Sequence, residues 1–315
     1  MNRFFQPIIL VTLLLVVVIG QLIPSISKKP RFFVQKTEVE TEFARAVFEK
    51  KLSNSPLSDY RIDWFELTSS EIITQFLPDK LEPILYSSSD VLEIQSIFVK
   101  SVPTDLEKLP SGEKKAIFVR FMLPLILKSN EEIWKQRQTL YMAQKKDDFE
   151  TIKRIAGKYA INTDEKDMDE IITLAKHRVL PVPTSLALAQ AAIESGWGTS
   201  RFSMEGNALF GQWAWSAEAG IKPLDASNNR AVIRRFSNLQ GSVKYYMKNL
   251  NTHNAYEDFR KLRWSYIEKE KWPNGIDLAP SMHPYAEIGE HYIAVIKDLI
   301  LQNQLLRFDY SQLVN

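Results

Sequence analysis

The sequence predicts a mainly α-helical chain with a small β region in its second half, preceded by an apolar N-terminal segment. Three observations lead there. From Glu113 to Lys145 the apolar residues Phe118, Phe121, Met122, Leu125, Ile126, Ile133, Trp134, Leu140 and Tyr141 recur at three- and four-residue steps, the period of a helix with one buried face. From Asp167 to Ser195, capping residues and prolines punctuate two further periodic stretches. Glycine is crowded into one place: three of eleven precede residue 196, whereas Gly196, Gly198, Gly206, Gly211 and Gly220 follow within twenty-five residues, where helical periodicity disappears.

In chain order, Arg3 precedes a nearly unbroken apolar run from Ile8 to Ile19 that continues to Ile23. Residues 1–27 therefore read as a signal peptide or a membrane anchor. The small pair Ser25 and Ser27 suits cleavage, and the Phe4-to-Ile23 length suits a bilayer crossing of about 20 residues. Either outcome exports the chain, to the periplasm or the outer face of the inner membrane. Residues 28–160 read as a helical N-terminal domain, with short helices at Thr41–Leu52 and Ser69–Leu77, a turn at Ser87–Asp90 and the long periodic helix, where Pro124 marks a kink or restart. Lys145 to Asp148 is a solvated charged stretch near the boundary.

Residues 161–315 form the second domain. Asp167 caps a helix through Ile171, Ile172 and Leu174 that ends near His177. Pro181 and Pro183 break the chain, Thr184 or Ser185 caps the next helix, and Gly196 stops it after Ser195. Leu209–Trp215 and Ala231–Phe236 are the strand candidates, joined through Pro223–Arg230.

Composition removes whole classes of function. Forty basic against thirty-eight acidic residues leave a charge of +2, so nucleic acid is not an expected partner. No cysteine is present, which excludes disulfides, thiol nucleophiles and thiolate metal sites. Of the four histidines, His283 and His291 stand eight apart, off the spacing of a helical metal pair, and no H-E-x-x-H occurs. Neither phosphate-binding glycine loop nor G-x-S-x-G elbow is found. No metal and no cofactor are expected.

One carboxylate stands out. Glu194 lies in the last turn of its helix, where the partial negative charge of the helix end disfavours a second negative charge, and Trp197 is near enough to exclude water. Both effects raise a carboxyl pKa, as a general acid for a glycosidic oxygen requires.

The string Ala189-Gln190-Ala191-Ala192-Ile193-Glu194-Ser195-Gly196-Trp197-Gly198-Thr199-Ser200, followed by Gly206-Asn207-Ala208-Leu209-Phe210-Gly211-Gln212-Trp213, resembles glycoside hydrolase family 73 and, more closely, the Bax-type proteins of the glucosaminidase superfamily. The resemblance continues through Arg235-Phe236, Tyr246 to Tyr256 and Tyr285 to Tyr292, and upstream to Glu113–Phe118 and Leu123–Asn130. It implies a lysozyme-like α+β catalytic domain in which helical lobe and β-lobe flank a sugar groove, and an endo-β-N-acetylglucosaminidase cleaving the β-1,4 bond after N-acetylglucosamine in peptidoglycan glycan strands. Glu194 would be the catalytic acid. The sequence departs from the Bax-type pattern in lacking two β-lobe cysteines, and no β-lobe glutamate matches the second carboxylate of the family. Asp225, chosen over Glu205 and Glu218, is one candidate for that role. Tyr285 is the other, orienting the substrate's own acetamide if that group is the nucleophile. Trp197, Asn207, Phe210, Trp213 and Tyr256 are the substrate-binding candidates, the flat side chains through the apolar faces of sugar rings. Tyr292 reads as core. The alternative function is a catalytically idle glycan-binding or membrane-anchored scaffold protein.

Overall fold

The computed structural model describes residues 64–76, 92–214, 220–222, 232–285 and 289–314. The N-terminal apolar segment, the helix expected at Thr41–Leu52, the turn at Ser87–Asp90 and the acids Glu218 and Asp225 lie outside those residues. Strand β1 (Trp64–Phe65) is followed by helix α1 (Ser69–Phe76), whose start is tied down by Asp105, a carboxylate that accepts from the Ser69 amide at 2.9 Å and from its hydroxyl at 2.8 Å. Strands β2 (Glu93–Gln95) and β3 (Phe98–Val99) come next, β3 running parallel to β1.

Helix α2 (Ser111–Lys145) is 35 residues long and passes through Pro124 without ending. The proline removes one backbone donor, but Phe121, Met122, Leu125 and Ile126 around it are fully buried, and that packing carries the helix where local bonding alone would restart it. Helices α3 (Phe149–Lys158) and α4 (Met168–Arg178) follow, with Asp167 capping α4 by accepting from the Glu170 amide at 2.8 Å. Residues on both sides of position 160 share one apolar core: Phe118, Phe121 and Leu125 of α2 belong to the same buried cluster as Ile171, Leu186, Ile193, Val243 and Ile296.

Helix α5 (Thr184–Ser195) corrects the expected capping. Pro183 occupies the cap position and offers no side chain. The donors are met instead by Asp309, whose carboxylate accepts from the Ser185 amide at 2.8 Å and its hydroxyl at 2.6 Å, so the cap comes from the far end of the chain. Helix α6 (Arg201–Gly206) then leads to a three-stranded antiparallel sheet of β4 (Trp213–Ala214), β5 (Gly220–Ile221) and β6 (Val232–Arg234) in the order β4-β6-β5. The strands are shorter than expected, and β5 was not expected. Gly220 is required there, because a Cβ would stand 2.2 Å from the Ile233 carbonyl oxygen. Leu209 to Gln212 is a loop fastened to α7 (Leu239–Thr252): the Leu209 amide donates to Ser242 Oγ at 3.1 Å and Gln212 Nε2 donates to the Ser242 carbonyl at 3.1 Å.

The rest of the helical lobe comprises α8 (Glu257–Ile267), the short α9 (Gly275–Leu278), a 3-10 stretch at Ala279–Tyr285, α10 (Gly289–Gln302) and strand β7 (Gln312–Val314), which pairs in parallel with β2. Arg263 of α8 is completely buried and donates to the carbonyls of His177 (3.0 Å), Leu180 (2.9 Å) and Pro181 (3.0 Å) and to Asn251 Oδ1 (2.7 Å). It thereby clamps the end of α4 and the proline-broken link into α5. Among the described residues no helix is long and apolar enough to cross a membrane.

Candidate active site

The sequence Glu194-Ser195-Gly196-Trp197-Gly198 builds a sharp reversal at the end of α5. Gly196, Trp197 and Gly198 have φ values of +57°, +59° and +85°. Trp197 is the costly member, since a side chain in that region is strained. Ser195 steadies the turn: its hydroxyl accepts from the Gly198 amide at 2.8 Å and donates back to the Ala191 carbonyl. Gly198 leaves room for α2 and the segment before it, because a Cβ there would come within 3.1 Å of Leu106 and 3.2 Å of Phe118.

Glu194 is thus held at a fixed helix end, partly exposed as a residue but with its carboxyl surrounded by protein. Loss of water raises its pKa from the usual carboxyl range to about 7, against a smaller opposing effect from the Tyr292 hydroxyl, which donates to Oε1 at 3.0 Å. Tyr246, Tyr256, Tyr285 and Tyr292 surround the acid, and each has its own ionisation pushed upward by burial and by the nearby carboxylate. All four stay neutral. Oε2 faces the backbone of Gly211, where a Cβ would sit 3.5 Å from it. With φ of +60°, Gly211 makes the turn and sets no side chain against that oxygen. Such a carboxyl holds a proton close to neutral pH and can give it up, the property of a general acid.

A family model described as mannosyl-glycoprotein endo-beta-N-acetylglucosaminidase matches residues 170–305. "Protein bax" of Escherichia coli (strain K12) is 29% identical over 208 residues, which cover 64% of this chain and 74% of that protein. The chain is thus similar to a Bax-type glucosaminidase-like protein. Its mainly helical body with a small β-lobe is the lysozyme-like arrangement expected of a glucosaminidase domain. No solved structure matches the chain.

Within the glucosaminidase-like domain the site candidates fall into distinct places. Tyr285 is drawn to the acid, stacking on Tyr292 with ring centroids 5.7 Å apart and planes 3° from parallel, while its hydroxyl donates to the Phe210 carbonyl at 3.1 Å. Tyr256 is buried and tilts against Tyr285 at 6.1 Å. Phe210 is buried too, its ring stacked on Tyr246 at 4.0 Å, so that face meets protein and not an open groove. Trp197 turns toward α2, edge-on to Phe118 at 5.6 Å and under the Lys115 ammonium at 5.0 Å. Trp213 is partly exposed on β4. Asn207 has φ of +53° and caps α6, its Nδ2 donating to the Phe236 carbonyl at 3.2 Å. Among the described residues no cluster of three or more His, Cys, Asp or Glu side chains is placed to hold a metal ion.

Sequence reasoning missed the groups that hold Glu194. Tyr292, read as core, is buried and also donates to the acid. Behind it, Gln190 Nε2 donates to the Tyr292 oxygen at 3.1 Å, and the Tyr246 hydroxyl donates to Gln190 Oε1 at 2.6 Å. The available signal was spacing: Gln190 precedes Glu194 by four residues on α5, so the two share a helix face, and Gln190 is a fully buried polar residue among alanines and leucines.

Proposed function

We propose that this protein is a peptidoglycan hydrolase that cleaves the β-1,4 bond after N-acetylglucosamine, with Glu194 as general acid. The observation that carries the reading is the Glu194 carboxyl: its pKa is raised to about 7 at the helix end bearing the family's Glu-Ser-Gly-Trp-Gly motif, and Gly211 beside Oε2 brings no side chain against it. In this mechanism Oε2–H protonates the leaving glycosidic oxygen as its bond to the anomeric carbon breaks. The carbonyl oxygen of the sugar's own acetamide forms the new bond to that carbon, giving an oxazolinium ion. Glu194, now a carboxylate, then takes a proton from the water that opens the ion, and configuration is retained.

Tyr285 fits the orienting role by the polarity of its hydrogen bonds. Its only hydroxyl proton is committed to the Phe210 carbonyl, so its oxygen can only accept, as the acetamide N–H requires. The second reading assigns the partner role to a β-lobe carboxylate, with Asp225 the candidate. Turnover of purified cell wall separates them. Glu194→Gln should keep glycan binding and lose turnover by roughly 10²- to 10⁴-fold. Tyr285→Phe should cost more than Asp225→Asn; a full-rate Tyr285→Phe beside an inactive Asp225→Asn selects the carboxylate. Near wild-type lysis by Glu194→Gln refutes the enzyme reading and leaves the glycan-binding scaffold. The apolar run Leu10–Ile19 supports action outside the cytoplasm on glycan strands, and a reporter fused after residue 40 should be active only on that side.

A further inference from the structure

We infer that Tyr246, Gln190 and Tyr292 form a one-directional hydrogen-bond relay that fixes which oxygen of Glu194 carries the acid proton. Tyr246 and Gln190 are positioning residues in it, acting on the acid from behind the site. The inference rests on the proposed role of Glu194 and specifies how its proton is placed.

The polarity follows from what each group can do. A primary amide has a carbonyl that only accepts and an NH₂ that only donates. Gln190 is fully buried between two phenols, at 2.6 Å from the Tyr246 oxygen and 3.1 Å from the Tyr292 oxygen. The shorter separation is that of an O–H···O bond and the longer that of an N–H···O bond, so the amide oxygen faces Tyr246 and the amide nitrogen faces Tyr292. The Tyr246 proton is therefore spent on Gln190. The Tyr292 oxygen already accepts from Gln190, and its own proton goes to Glu194 Oε1 at 3.0 Å. With Oε1 held as an acceptor, the proton of neutral Glu194 resides on Oε2, the oxygen beside Gly211. A flipped Gln190 would reverse every bond and draw the acid's proton onto Oε1, toward the core.

The geometry protects this direction. The Tyr246 ring is sandwiched flat on Phe210, planes 8° apart, and the Tyr292 ring is stacked flat on Tyr285, so neither phenol can swing away without breaking an aromatic pair. Three separate helices supply the members: α5 gives Gln190 and Glu194, α7 gives Tyr246, and α10 gives Tyr292. The ionisable groups facing the acid among the described residues are the phenols of Tyr246, Tyr256, Tyr285 and Tyr292; Lys115 of α2 lies over Trp197, and Asp309 sits at the opposite end of α5. Among the described residues the relay is thus the polar influence on Glu194 that opposes burial.

The test titrates the Glu194 carboxyl by difference infrared spectroscopy of the full chain, with Glu194→Gln as the blank, so that it needs no turnover. Tyr292→Phe removes a bond to the charged form and should move the midpoint up by about one pH unit. Tyr246→Phe and Gln190→Met do not touch Glu194, yet they should move it in the same direction by a smaller step, and Tyr246→Phe should add nothing in a Tyr292→Phe background. Each Tyr→Phe change keeps its ring, and the thermal midpoint of each variant reports packing separately. An unshifted midpoint in both single Tyr→Phe variants, or a Tyr246→Phe shift that persists without the Tyr292 hydroxyl, overturns the relay. Absence of wall hydrolysis by wild type with the relay shifts intact would overturn the function and not the relay.

Discussion

Arg263 and Glu194 are both withdrawn from water inside the helical lobe, and burial disfavours the charge of each, yet they end in different states near neutral pH. Arg263 meets three backbone carbonyls and one amide oxygen, with Arg137 and Arg260 nearby, and burial pulls its pKa down only to about 9. It stays cationic at neutral pH, and its partners are carbonyls around the end of α4, where a positive charge is favoured. Glu194 meets one phenol hydroxyl and otherwise aromatic rings, and its pKa rises to about 7. The first group has four acceptors on its two terminal nitrogens, although its buried Nε has none, and it keeps its charge as part of the fold. The second is paired just enough to place it, which leaves the proton movable. A buried charge with several backbone acceptors ties elements of a fold together, whereas a buried acid with few partners is suited to chemistry.

The difference is sharpest in stability. Arg263→Met strands the His177 and Pro181 carbonyls and Asn251 Oδ1 without that donor, while Leu180 keeps its bond from Asn251 Nδ2, and the change should cost about 3 kcal/mol by denaturant melting. Glu194→Gln, by contrast, replaces an acid with a neutral group of the same shape and should leave stability unchanged or raised above pH 7. Equal losses from the two substitutions would break the comparison.

A pH series sharpens it. Because the folded-state pKa of Glu194 is raised, the folded protein holds a proton between about pH 4.5 and 7 that the unfolded chain has released. This group's contribution is therefore most favourable at low pH, declines as pH rises through that window and is flat above it. The decline should be on the order of 3 kcal/mol and should vanish in Glu194→Gln. A wild-type curve that parallels the variant would show that the acid is not desolvated.

The smallest expected change is at Gly211. With φ of +60° an alanine is strained by about 1 kcal/mol, and its methyl would also rest on Oε2. Gly211→Ala should thus lose far more wall-lytic rate than stability. Proportionate losses would mean that the absence of a side chain beside Oε2 is irrelevant.

Much of this was legible in residues that act locally. The α2 periodicity, the Asp167 cap and the Gly196 stop each depend on neighbours within a turn, and the structure places all three where the sequence puts them. Long-range contributions were not legible. Asp309 caps α5 from 124 residues away, α2 continues through Pro124 because its surroundings are packed, and β5 exists because Gly220 lets two strands touch. At the site, the raised carboxyl and the loss of water behind it could be anticipated, but not the residues of later elements that gather around it. Tyr246 and Tyr292 of later helices lie close enough to interact electrostatically with Glu194, and Trp197, the residue expected to exclude water, stands edge-on to Phe118.

Mass spectrometry of borohydride-reduced fragments from wall digested with the full-length protein tests the central claim most directly. The account predicts fragments ending in reduced N-acetylglucosamine from wild type and their loss with Glu194→Gln. Fragments ending in reduced N-acetylmuramic acid or in its 1,6-anhydro form would contradict it.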